Sequence, residues 1–380
     1  MSRNITYRAA KEVAEVIEKH FAQQLTTSQE RGEHEQAPIP SRKVIEAMLD
    51  TAFWASLRRE EGRSPKISLA FLSPEHTKAP LRFQKRLPLS SKVLTKVAPG
   101  VERPGVHLGV WHEGETLYIW GTTHEIPSLG FVLDVSEPGL LVVKHRRKDG
   151  FGKFANVAVL IGDQVKVVDE QSASLPDCPD LLTSLLGFTS TSSLNNSVNV
   201  LVQLATSMRA HQHGGILLVV PSENQAWRKS IIQPMLYEVS PAYAGLAQLM
   251  QQELQIRSKI RWQGALRREI DSLAGLTAVD GATLISDQHE LLAFGAKIGR
   301  PEGSAMVEQV IVTEPVVGNV AQVVHPSVSG GTRHLSAAQF VHDQRDALAL
   351  VASQDGRFTV FSWSPCEGMV HAHRIDTLLL

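Results

Sequence analysis

Apolar residues recur at helical spacing over the first ~25 positions, at Ala10, Val13, Val16, Ile17 and Phe21, and predict an amphipathic helix. The polar stretch TTSQERGEHEQAPIP that follows reads as an exposed loop or linker. Residues 41–58 return to helical spacing. The pattern then shortens into β-branched and aromatic runs bounded by turn residues: 67–72, 106–111, 116–121, 130–135, 140–145 and 156–161. Helices followed by many short strands predict an α+β domain over residues 1–180. Two prolines within Ser174–Asp180 place a boundary there.

A second pattern begins near residue 190. Residues 194–210 read as a helix, His213-Gly214-Gly215 breaks it, and 216–220 reads as a buried strand. Helical periodicity covers 242–273, and strands are expected at 282–285, 291–293, 307–312, 347–352 and 358–363, with a helix after His334. Strands alternating with helices predict an α/β domain over 190–380, a mixed sheet flanked by helices on both faces.

Composition narrows the class. The 380 residues are 43% hydrophobic and 20% charged with a net charge of -1, a globular balance with no global field toward nucleic acid or anionic lipid. No apolar run reaches a membrane span, and the polar N-terminus has no signal-peptide core, so a cytoplasmic protein that touches neither membrane nor nucleic acid is expected. Cys178 and Cys366 are the only cysteines, too few for a disulfide framework or a cysteine-rich zinc site.

Two short stretches carry candidate chemistry. In Asp280-Gly281-Ala282 the glycine admits a ligand close to the backbone, and the carboxylate suits a divalent cation or a hydroxyl proton; an ordinary Asp-Gly turn is the alternative. In Gly330-Gly331-Thr332-Arg333-His334 the glycines open the backbone and Arg333 offers a planar fork for phosphate oxygens. His334 adds a donor, and the helix expected over 335–344 turns its positive end toward this loop. A glycine-rich turn with a surface Arg-His pair is the alternative. There is no Walker A motif and no nucleophile elbow. His211 and His213 have no cysteine or carboxylate in register for a metal, His371 and His373 read as surface residues, and His145–Lys148 reads as a solvated loop.

Taken in order, these stretches resemble the diadenylate cyclase (DAC) domain. Gly214–Val220 resembles its glycine-led first strand, and Asp280–Ile285 its Asp-Gly-Ala motif. Leu291–Ala296 resembles the next strand with its glycine, Gly331–His334 the Gly-Thr-Arg-His motif, and Ala347–Gly356 the last strand with its Ser and acidic end. The N-terminal half resembles, more weakly, the probable sensor domains (DACNV-like) fused to DAC domains in bacteria. The resemblance implies an enzyme that condenses two ATP into cyclic di-AMP and two pyrophosphates across a homo-oligomeric, face-to-face pair of sites. It implies catalytic Asp280, Arg333 and His334; ATP-binding Gly281, Ala282, Gly295, Gly330, Gly331, Thr332 and Ser353; and Mg²⁺ or Mn²⁺ on Asp280 and Asp355. The sequence departs from the family pattern at Leu335, where a second arginine is usual, at Gln354, where a carboxylate is usual, and over the long stretch Arg300–Ser329. Leu335 and Gln354 motivate a second expectation, a nucleotide-binding sensor that does not cyclise.

Overall fold

The computed structural model describes residues 6–30, 37–77, 80–103, 105–147, 154–169, 195–252 and 260–380. They divide into two compact units, 1–168 with Leu380, and 169–379. The boundary expected at Ser174–Asp180, Cys178 and part of the expected linker lie outside the described residues.

The first unit is an α+β domain. Helices α1 (Arg8–Glu30) and α2 (Arg42–Ser56) pack on one face of an eight-stranded sheet. Its strands are β1 (Ile67–Phe71), β2 (Leu81–Pro88), β3 (His107–Glu113), β4 (Thr116–Thr123), β5 (Phe131–Glu137), β6 (Leu140–Arg146), β7 (Phe154–Ile161) and β8 (Gln164–Val167), in spatial order 2-4-3-1-5-6-7-8. A short helix, α3 (Ser91–Val97), follows β2. Period-two alternation sorts the side chains: Ile67, Leu69 and Phe71 join the helices, whereas Ala70 and Leu72 join Trp120 and Val132 in a separate cluster. Ala10, Val13, Ile17 and Phe21 of α1 are buried as expected, but Val16 is 43% exposed because it falls off their stripe. His145 and Arg146 are part of β6, and His145 is buried, which corrects their reading as a solvated loop; Lys148 lies outside the described residues. Strand β2 forms an edge, and its Arg82, Lys85 and Arg86 face solvent.

The second unit is α/β, with a nine-stranded mixed sheet. Helix α4 (Asn195–Ala210) precedes β9 (Gly215–Val220) and β10 (Tyr237–Tyr243). After α5 (Gly245–Met250) and α6 (Ile260–Leu276) come β11 (Ala282–Ser286), β12 (Leu291–Ala296), β13 (Val310–Thr313) and β14 (Gln322–Val324). Helices α7 (Pro326–Ser329) and α8 (Thr332–Asp343) then lead to β15 (Leu348–Ala352), β16 (Phe358–Ser364) and β17 (Met369–Arg374). The strand order is 10-12-11-9-15-16-17-13-14, parallel where β9 meets β11 and β13 meets β17.

Helix α8 covers one face. Its Ala337, Ala338, Phe340 and Val341 are buried against Ile216, Leu218, Leu284, Val351 and Phe361. The opposite side chains, including Leu217, Leu350 and Val360, are fully buried too, and α4 and α6 pack against each other, against β15 and against β12.

Two expectations are corrected here. Residues 242–273 are not one helix: 242–243 close strand β10, and Met250 ends α5 before a turn. His371 and His373 are buried, not surface residues, because they alternate with Val370 and Ala372 on β17. His373 Nδ1 meets Thr313 Oγ1 at 2.7 Å, so burial does not strand its polar atoms. The long stretch 300–329 is structural, since it supplies β13, β14 and α7. Gln339 of α8 ties this stretch down by accepting from Val307 N at 2.9 Å and donating to the Ala305 carbonyl at 3.0 Å.

Phe340 lies fully buried between α8 and the sheet. Phe340→Ala is expected to lower the stability of the second unit by about 3–5 kcal/mol through the cavity it leaves. Denaturant unfolding followed by fluorescence checks this.

Candidate functional site

Register builds the site. Ala282 of β11 stands opposite Ile216 of β9 and Ala296 of β12, and Ala352 of β15 stands opposite Gly215. The starts of two strands and the ends of two others therefore lie side by side at one end of the sheet. A cleft of about 610 Å³ opens there. It is lined by Asp280, Gly281 and Ala282 from the start of β11, by Lys297 beyond β12, by Gly331–His334 from α8, and by Ser353 and Gln354 beyond β15. Asp280 and Arg333, fifty-three residues apart in sequence, thus share one cleft.

Helix α8 begins at Thr332, not after His334 as the sequence suggests, so Thr332, Arg333 and His334 form its first turn. Gly331 is the N-cap and provides no side-chain cap. The His334 N–H already donates to the Gly331 carbonyl at 3.0 Å, so the N–H groups of Thr332 and Arg333, with the positive end of the helix, are those that favour an anion at the cleft.

Arg333 is half-buried and has no hydrogen bond or ion pair among the described residues. Its guanidinium packs on Gly214, where an added Cβ would lie 3.0 Å from Nη1. Gly214 also holds a φ of +71°, so glycine is needed there twice over, for backbone and for space. Gly281, at φ +118°, lies so close to Gly295 that a Cβ would sit 2.5 Å from its carbonyl carbon. Gly295 and Gly330 do not line the cleft; they pack against Tyr237 and the His334 ring respectively.

Asp280 projects outward, its side chain 92% exposed, and Lys297 Nζ lies 2.5 Å from its Oδ2. The hydrogen bond and charge of Lys297 hold the Asp280 carboxyl below the usual carboxylate range, and Arg333 adds to the effect. Lys297 was not legible as a site residue: its place follows from the pairing of Ala282 with Ala296, which no local motif marks. Ile216, within the glycine-led strand, also lines the cleft, as do Ile232, Ile298 and Ser336, which no motif marks.

Leu335 turns away and packs against the core, so the position where the family pattern has a second arginine contributes nothing to the cleft. Gln354 lines it, donating at 3.3 Å to the His213 carbonyl. Asp355 stands just outside, in the turn after β15, where Arg357 Nε lies 3.3 Å from its Oδ2.

Among the described residues no group of three or more His, Cys, Asp or Glu could hold a metal by itself. Mg²⁺ or Mn²⁺ bound together with phosphates needs only one or two carboxylates. Asp280, exposed in the cleft that Thr332 and Ser353 also line, fits that requirement; Asp355 lies outside the lining, with Arg357 beside its carboxylate.

His334 forms part of the wall. It is 3% exposed, with Nε2 3.2 Å from Thr359 Oγ1. Burial pushes its pKa down to about 4, so the ring is neutral at pH 7 and braces α8 against β16 without adding charge. Because the folded value lies below the ordinary 6.5, the unfolded chain binds the extra proton first as pH falls. This group's contribution is therefore complete above about pH 6.5 and lost progressively toward pH 4, by up to about 3 kcal/mol. Denaturant unfolding between pH 7 and 4 is expected to show a steeper acid loss for wild type than for His334→Gln.

Comparison with known families bears on the first unit. Residues 34–124 match the family described as "Probable sensor domain DACNV". No curated protein matches the chain.

Proposed function

We propose that the second unit is a diadenylate cyclase, which condenses two ATP into cyclic di-AMP with release of two pyrophosphates, and that the first unit regulates it. One observation carries the reading: an outward-facing carboxylate, Asp280, shares a cleft at a helix N-terminus with a half-buried guanidinium, Arg333, that is unpaired among the described residues. The match over 34–124 adds support, since DACNV domains are typically found with diadenylate cyclases.

In this reading the Arg333 guanidinium, the N–H groups of Thr332 and Arg333, and the hydroxyls of Thr332 and Ser353 hold the triphosphate, and Gly281 and Ala282 let it approach the β11 backbone. Each ATP presents its ribose 3′-oxygen to the α-phosphorus of the other. The new bond joins O3′ to the α-phosphorus, the bond from that phosphorus to pyrophosphate breaks, and the hydroxyl proton leaves O3′. Asp280 assists that departure at the cleft mouth. Bound Mg²⁺ or Mn²⁺, held by Asp280, would offset phosphate charge. The two ATP molecules need two clefts, so two copies of the chain must face each other. His334 keeps the first turn of α8 in place.

A second reading is favoured by Leu335, which packs into the core and leaves the cleft one arginine short of the family pattern. A cleft so reduced would bind a nucleotide as a sensor without joining two.

Purified chain incubated with ATP and Mn²⁺ is expected to yield cyclic di-AMP by mass spectrometry; ATP binding without pyrophosphate release would select the sensor reading. Asp280→Asn is expected to abolish turnover while retaining ATP affinity, measured by calorimetry, because shape is kept and the carboxylate lost. Arg333→Ala is expected to weaken ATP binding by ~1.5–3 kcal/mol, the size of a charge-assisted hydrogen bond. Equal affinity in that variant would remove Arg333 from the phosphate site.

A further inference from the structure

The cleft contains a cation that the cyclase reading leaves without a task. Lys297 directly follows β12, and its Nζ lies 2.5 Å from Asp280 Oδ2 and 3.4 Å from the Asp280 backbone oxygen. Both residues line the cleft. The Lys297 backbone is fixed, because its carbonyl accepts from Ile232 N at 2.8 Å. Its side chain is 54% exposed, so an ion pair here adds little to folding.

Location gives the pair its meaning. The ammonium sits on lone pairs of the carboxylate that would hold Mg²⁺ or Mn²⁺, and Arg333 already adds its positive field to the same group. A divalent cation on Asp280 would face the ammonium at close range, and like charges so close repel strongly. A lysine ammonium is a point charge on a flexible four-carbon stem, so it can withdraw without moving the backbone.

We propose that Lys297 is a positioning residue that competes with the divalent cation for Asp280, so that the metal takes the carboxylate only as Lys297 leaves it. The role of that metal in turnover rests on the cyclase reading; the competition itself does not. Because the metal binds only the fraction of molecules with Asp280 released, its apparent affinity is lowered by that fraction.

The test uses the full chain with a non-hydrolysable ATP analogue, titrated with Mn²⁺ while free Mn²⁺ is read by electron paramagnetic resonance. Lys297→Met is expected to tighten Mn²⁺ binding by about tenfold, the size of effect when only about a tenth of molecules are competent. Lys297→Arg, which restores the cation, is expected to return affinity toward wild type, and Asp280→Asn combined with Lys297→Met to abolish the gain. Unchanged or weaker Mn²⁺ binding in Lys297→Met overturns the proposal, as does a gain that survives in the double variant. If the gain is seen and depends on Asp280 but wild type makes no cyclic di-AMP, the competition stands and the cyclase reading falls.

Discussion

Everything at the cleft depends on strand register. Ala282 pairs with both Ile216 and Ala296, and Gly215 pairs with Ala352, so four strands finish flush at one end of the sheet. A shift of one residue in any of them would turn its buried set to the wrong face. The register is therefore held by the core itself, by Leu218, Leu284 and Val351 beneath α8. The site inherits that precision without needing interactions of its own.

Helix α8 converts the same packing into chemistry. Phe340 and Val341 anchor its body, which fixes where its first turn begins. The unfilled N-cap at Gly331 then leaves backbone donors facing the cleft, and Gly214 leaves room for the Arg333 guanidinium. Charge is thus arranged in two layers. The inner guanidinium is half-buried and packed on Gly214, whereas the outer Asp280–Lys297 pair is exposed.

Much of the fold was legible because its strands are short, β-branched and well separated. Ile67–Phe71, Leu140–Arg146, Gly215–Val220 and Leu348–Ala352 all announce themselves. Strands that mix polar residues into buried positions did not. β17 hides two histidines at buried positions; β10 escaped for another reason, being mostly exposed and carrying Glu238 and Pro241. Helical spacing over 242–273 is a local signal that the pairing of Tyr243 with Leu291 overrides at its start. At the cleft, Asp280 and the Thr332–His334 turn were readable from residue type and spacing. Lys297 was not, since its contact with Asp280 exists only through long-range pairing, and Asp355 stands in the turn just beyond the lining, beside Arg357.

The sheet edges bear on how the chain can meet other copies of itself. Strand β2 exposes Arg82, Lys85 and Arg86, and β10 carries Pro241, which has no N–H to offer a neighbour. Repelling charge on one rim and a missing donor on another disfavour sheets that grow by joining rim to rim. Unlimited growth through those two rims is thereby disfavoured, which leaves β8 and β14 as the remaining rims where a strand could be added.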